Sequence, residues 1–473
     1  MALVQNEETL ESLLEASKTQ HGRSRLAASG AVATTLRNLS TSDSASSTLT
    51  LPYLRLLRNI CAGEISSQDS FIDLSGPDTL ASILLSSVAS LEVLRAGIQV
   101  LGNVVLAGEV HRAAVWARFF SDGFLRLARV RERGVCDPLC MMIDTCCSGD
   151  GGRERLEELC GSDSGLRILQ QIIKTALKAG YQEEWLEWLL FKACVEEHRF
   201  PTLFLTLSSS DKSNTNFNIS LTSLLKPEFF NTQHAFLLDI LSKCLTERPK
   251  EVTVSGKFAL EILEILKTTY NIVDFTTQVN AAIPTGSPAI DLFGYSLLIL
   301  RDICAWEDAS SPETDKDSLV NLLLDEGLLD FVLSCLEELE PPAIVRKSMV
   351  KEDNSSPVEI EKRACPYKGY RRDLVSVIGN LLHRRKRVQD TVREKQAIPL
   401  LLQQCVVDEE NPYLREWGLL AVRNLLEGNE DNQKEVAELE LKEPITPPEI
   451  SGLGLKVEVD EATRRAKLVN ISG

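Results

Sequence analysis

Two copies of one short word frame this chain. Ile378-Gly379-Asn380-Leu381-Leu382 recurs as Val422-Arg423-Asn424-Leu425-Leu426, with the asparagines 44 residues apart. Each word closes an apolar, helix-like run and is followed by a polar turn. The same spacing arises independently near the other end. Leu57-Arg58-Asn59-Ile60-Cys61 and Leu101-Gly102-Asn103-Val104-Val105 also place their asparagines 44 residues apart. Weaker copies carry Thr145 and Asp302 in the asparagine place. A fixed period of roughly 40–47 residues marks stacked helical repeats of the armadillo or HEAT kind, in which one helix pair cannot bury its own apolar face and must stack on neighbours. The predicted fold class is therefore all-α: an armadillo/HEAT-like right-handed helical solenoid, with a short C-terminal β-hairpin-like tail argued below.

Composition fits a folded array. The chain has 473 residues, 44% apolar and 25% charged, and aromatic residues make up only 6%, which favours helices packed through leucine. Its formal net charge of −17 repels phosphate backbones, so nucleic acid and anionic membranes are disfavoured as partners. The start, Met1-Ala2-Leu3-Val4-Gln5, has neither the basic nor the apolar region of a secretory signal, and no apolar run reaches the ~18 residues of a membrane helix. Most of the 12 cysteines sit inside leucine-rich runs, where a reduced thiol acts as a small hydrophobe. Cys136, Cys140, Cys146, Cys147 and Cys160 lack the paired spacing of a zinc site, so no metal and no cofactor is expected. The expectation is a cytoplasmic protein with a minor nuclear or perinuclear pool, and no membrane insertion.

The chain divides into five parts. Residues 1–200 read as N-terminal armadillo-like repeats and 201–340 as divergent central helical repeats. Residues 341–368 hold Pro341-Pro342, Ser355-Ser356-Pro357 and Cys365-Pro366, and read as an irregular insertion loop. Residues 369–442 are the C-terminal repeats. In the tail, 443–473, Leu455 to Val459 and Lys467 to Ile471 alternate apolar and polar residues, which predicts a β-hairpin turning near Glu461 to Arg464.

Candidate site residues follow from the words. Asn59, Asn103, Asn380 and Asn424 have two readings: caps and staples between repeats, or a ladder on the concave face that grips a peptide backbone. Leu414, Trp417, Ala421 and Leu425 recur at three- and four-residue steps, so Trp417 is expected in the buried stripe, with Asn411 capping that helix and Pro412 in its first turn. Arg384, Arg385, Lys386 and Arg387 form the dense basic run, read as a solvated turn or as a site for an anionic partner. Arg363, Lys368, Arg371 and Arg372 are candidates to join it in space. No GxSxG, P-loop or GxGxxG word appears, and the five histidines are scattered. No catalytic residue is assigned. A non-enzymatic scaffold for partner proteins leads, followed by a cargo or peptide adaptor using the asparagine ladder, then an enzyme with a cryptic site in the divergent centre.

Residues 373–436 closely resemble the signature region of the ataxin-10 family, whose fungal members include proteins labelled copper transport protein 86. The matching residues are Arg372-Asp373-Leu374, Ile378-Gly379-Asn380-Leu381, Gln389-Asp390, Ile398-Pro399-Leu400, Cys405, Asp408, Asn411-Pro412-Tyr413-Leu414-Arg415-Glu416-Trp417 and Arg423-Asn424-Leu425. The resemblance implies an armadillo-type solenoid without enzymatic activity, an intracellular interaction protein with roles in cell survival and cytokinesis, and self-association. The chain also departs from peptide-gripping armadillo proteins. Those pair each repeat asparagine with a tryptophan one turn earlier, where this chain has Arg55, Gln99, Ser376 and Leu420.

Overall fold

One long helix from each repeat lies on its counterpart in the next, forming a continuous spine. The eight are Thr50–Ile60, Leu91–Val105, Arg133–Cys146, Glu184–Phe191, Thr232–Glu247, Pro288–Trp306, Tyr370–Leu382 and Leu414–Leu426. The computed structural model describes residues 7–41, 48–208, 230–248, 253–276, 281–306, 318–349, 363–439, 448–452, 454–459 and 466–471. The spine helices form where apolar residues recur at helical spacing. In Leu91–Val105, Leu94, Ile98, Leu101 and Val105 are all buried, and Ser90 caps the helix by accepting the Val93 N–H at 3.3 Å. One apolar core runs without a break from Leu10 to Leu425.

Shorter helices complete the first two repeats. Ile65–Asp73 and Gly76–Leu84 follow the first spine helix, and Glu109–Phe119 and Asp122–Ala128 follow the second. In these two the unit is a triplet, where the sequence suggested a pair. The break comes from a single left-handed residue in each: Ser75 at φ 53° and Ser121 at φ 70° reverse the chain between the two short helices.

The centre is tied by aromatic rings. Tyr270, Phe275, Phe293, Phe331 and Tyr370 pack ring against ring, and the Arg363 guanidinium lies 4.9 Å from the ring centres of Tyr270 and Phe275. Ala364 N–H donates to Phe275 O and Lys368 N–H to Ala281 O, each at 2.9 Å, which fastens this segment to the stretch preceding the Pro288–Trp306 helix. Residues 341–349 and 363–368 are therefore more ordered than the prolines there suggest. Ala343–Met349 is helical and Leu339 bridges Arg363. Residues 350–362, most of the polar loop expected at Ser208 to Asn218, and the hairpin turn at 461–464 lie outside the described residues.

The tail forms the expected hairpin. Leu455–Val459 pairs antiparallel with Ala466–Asn470, with Leu455 opposite Asn470. The chain is an all-α repeat solenoid finished by a two-stranded hairpin. No helix among the described residues is long and apolar enough to cross a membrane.

Candidate protein-interaction surface

The word asparagines tie repeats together. Asn103 Nδ2 donates to Arg58 O at 2.8 Å, and Asn424 Nδ2 to Gly379 O at 2.9 Å, in each case the residue just before the preceding repeat's own asparagine. Both carbonyls lie in the last turn of a spine helix, where the main chain has no helical donor of its own. Asn380 Nδ2 reaches Arg301 O at 3.0 Å, and Asn59 Nδ2 the Ser17 hydroxyl at 2.9 Å. In the divergent centre the same junction is made by charged groups. Lys192 Nζ pairs with Asp144 at 3.1 Å, and the Thr246 hydroxyl donates to Asp302 at 2.6 Å. Each of the four amides is thus engaged at a repeat junction, the staple arrangement rather than a solvent-facing ladder.

A second row of staples escaped the sequence reading. Gln68 Nε2 donates to Asn103 O at 2.8 Å, and Gln389 Nε2 to Asn424 O at 2.7 Å. Both glutamines stand nine residues after a word asparagine, on the following helix, so a search at that offset would have found them.

The basic turn splits by direction. Arg385 is 8% exposed and donates from one terminal nitrogen to Asn380 O at 3.1 Å, capping its own repeat. Arg387 lies 3.4 Å from Asp325, while Arg384 and Lys386 face solvent. Arg384 holds φ 53° at the position where other repeats place Gly63, Gly149 and Gly428, also left-handed. Arg371 and Arg372 do not join this run. They begin the 13-residue Tyr370–Leu382 helix that the basic run follows, so roughly 18 Å of helix separates them. Arg363 pairs with Glu338 at 3.1 Å beside the aromatic cluster.

The Asn411–Trp417 run departs from expectation in two ways. Asn411 does not cap its own helix. Its Oδ1 accepts the Arg371 N–H at 3.0 Å, so it caps the preceding spine helix across the repeat junction, and Tyr413 at φ 67° turns the chain into Leu414–Leu426. Trp417 is half-buried at the edge of the stripe. The closest approach belongs to Gly418, where a Cβ would meet Gln404 O at 2.6 Å.

The opposite face of this last spine helix is open. In earlier repeats the residue just before the word asparagine touches the next spine helix: Gly379 meets Ala421, and Gly102 meets Met141. One turn earlier on that stripe stand Ile98 and Val375, both fully buried. The equivalent residue in the last repeat is Leu419, which is 54% exposed. Val422 and Leu426, matching the buried Ile378 and Leu382, are half-exposed beside it, and Arg415 and Arg423 lie one turn to either side. Leu419 was absent from the sequence-derived candidates, because it is an ordinary core position until the stack ends.

Three buried thiols are held protonated. Burial pushes Cys61, Cys146 and Cys160 up to about 12, and no group of three or more His, Cys, Asp or Glu among the described residues is placed to hold a metal ion.

Comparison with known proteins bears on the same segment. A family model described as the Spinocerebellar ataxia type 10 protein domain matches residues 370–468. Ataxin-10 of Macaca fascicularis and of Homo sapiens are each 24% identical over 417 residues, covering 85% of this chain and 78% of theirs. An ataxin-10 homolog of Dictyostelium discoideum is 38% identical over 94 residues, 20% of this chain and 15% of its own. Among solved structures, an engineered protein aligns over 89% of this chain and 97% of its own, at 12% identity and a TM-score of 0.30. Residues 370–468 match the ataxin-10 domain, and the chain is similar to ataxin-10 along most of its length.

Proposed function

We propose that this protein is a non-enzymatic cytoplasmic scaffold that binds proteins through its repeat surfaces, and that one such surface is the open end of the Leu414–Leu426 helix, through which copies associate. The observation that carries the reading is the exposure of Leu419 where Ile98 and Val375 are fully buried. A solenoid ends stably by presenting a polar outer face on its terminal repeat. This one presents an aliphatic anchor with Arg415 and Arg423 around it, the apolar-centre and polar-rim pattern of an interface. The net charge of −17 supplies acidic surface to meet that rim in a second copy. Roles in cytokinesis and cell survival remain part of the proposal through the family. The adaptor reading has less support, because the asparagine amides it needs are engaged at repeat junctions.

Sedimentation of the full chain across concentrations tests this. Wild type is expected to self-associate, and Leu419→Glu to stay monomeric with unchanged melting. Wild type that remains monomeric throughout, or a Leu419→Glu chain that associates as wild type does, overturns the reading.

A further inference from the structure

Arg371 is 4% exposed, yet no carboxylate among the described residues pairs with it. One terminal nitrogen donates to Gln404 Oε1 at 3.2 Å, the other to Glu340 O, and Nε has no hydrogen-bond partner. Burial holds its pKa below the usual arginine value. Asp408 lies near enough to favour the charge, but its two oxygens already accept Glu410 N–H at 2.9 Å and Asn411 Nδ2 at 3.1 Å. The Cys365 thiol also lies against the guanidinium. A buried cation without a paired carboxylate is costly, and an orphaned N–H adds to the cost.

Arg371 lines a cleft of about 600 Å³ between the Leu328–Glu338 helix and the Ile398–Leu402 helix. Leu333, Leu336, Leu400 and Pro341 make its walls aliphatic. Its lysine, Lys395, is already paired with Asp330 at 3.1 Å, so Arg371 is the cation left to meet an incoming anion. We infer that this cleft binds an acidic peptide segment, seating one carboxylate against Arg371 and the neighbouring aliphatic side chains against Leu333 and Leu400. A carboxylate is planar and takes two parallel N–H bonds, so it suits a guanidinium with an unused Nε. Aliphatic flanks suit the walls. Glu337 at the exposed rim disfavours a densely charged anion and favours a single carboxylate on an apolar backbone.

The test follows the Arg371 Nε–H resonance of the full chain while acetyl-Leu-Glu-Leu-amide is added, beside acetyl-Leu-Gln-Leu-amide and glutarate. Saturable binding of the Glu peptide is expected, with the Gln peptide and glutarate each weaker by about tenfold or more, since a hydrogen bond to a charged group contributes roughly 1.5–3 kcal/mol. Two variants are read by calorimetry with the same peptides. Arg371→Gln removes the cation, and Ser334→Trp plugs the cleft from an exposed position on its wall while leaving Arg371 in place. Each is expected to lower affinity for the Glu peptide at least tenfold. If Arg371→Gln does not fold, Ser334→Trp alone decides. Equal binding of the Glu and Gln peptides, no saturable binding to wild type, undiminished binding to Ser334→Trp, or glutarate matching the peptide overturns the inference.

Discussion

Asn424 donates its side-chain amide to the main-chain oxygen of Gly379, 45 residues earlier, at 2.9 Å. Asn103 makes the same bond to Arg58, also 45 residues earlier, at 2.8 Å. The two pairs lie at opposite ends of the solenoid. Their shared geometry gives the 44-residue word a cause: each asparagine closes the frayed end of the helix before it.

Removing that amide leaves a carbonyl without a donor. Asn424 is 4% exposed, so Asn424→Ala is expected to cost about 1–3 kcal/mol. Asn380→Ala should cost less, near 0.5–1.5 kcal/mol, because Arg301 O lies inside the Pro288–Trp306 helix and already has a helical donor. Urea unfolding of the full chain compares the two, and equal losses would show that the closed helix end does not matter.

Gly418→Ala makes a sharper test of the final junction. The added methyl would sit 2.6 Å from Gln404 O, a main-chain atom with little freedom to yield. A loss of about 1–3 kcal/mol is expected, against the usual helical gain from Gly to Ala. A thermal midpoint that rises would mean the Leu414–Leu426 helix does not approach Gln404 this closely.

Trp417→Ala separates pattern from packing. By spacing alone Trp417 joins the buried stripe, where loss of the ring would cost ~3–5 kcal/mol. Half-buried as it is, the expected loss is nearer ~2 kcal/mol. Thermal unfolding distinguishes the two.

The solenoid was legible because its signal is local and repeated. The spacing of Asn59 and Asn103, and of Asn380 and Asn424, reports a helix end that recurs in the terminal repeats. The alternation in Leu455 to Val459 likewise reports a strand directly. What was hidden depends on partners far along the chain. Asn411 looks like the cap of the helix it precedes, but it serves Arg371, 40 residues back. Leu419 and Val375 occupy the same place in the period, and nothing in their own segments tells that one is covered and the other is not. Arg371 reads as one basic residue among several until burial removes it from water.

Arg384→Gly should stabilise the protein. Arg384 holds φ 53° where Gly63 and Gly428 serve other repeats, and the side chain faces solvent. Relieving a left-handed non-glycine residue recovers about 1–3 kcal/mol, less the ~0.5–1 kcal/mol that glycine loses in the unfolded chain. A net gain near ~1 kcal/mol in urea unfolding is expected. A loss would mean the arginine makes a contact worth more than the strain.

His234 sets the acid limit of the central repeats. It lies fully buried between Phe204 and Asn231. Nδ1 accepts the Asn231 N–H at 3.3 Å, which leaves the proton on Nε2 to be donated to Phe204 O at 2.9 Å, so the neutral ring satisfies both neighbours. Burial pushes its pKa down to about 4. The unfolded value near 6.5 is higher, so the unfolded chain binds the extra proton. The stability that the neutral ring contributes is therefore complete above pH 6.5 and is lost as pH falls through 4, by up to about 3 kcal/mol. His234→Gln is expected to be less stable at pH 7, with a flatter decline between pH 6.5 and 4. Unfolding free energies measured across that window check this. Parallel pH profiles for the two proteins would show that His234 takes up its proton as readily in the folded chain as in the unfolded one.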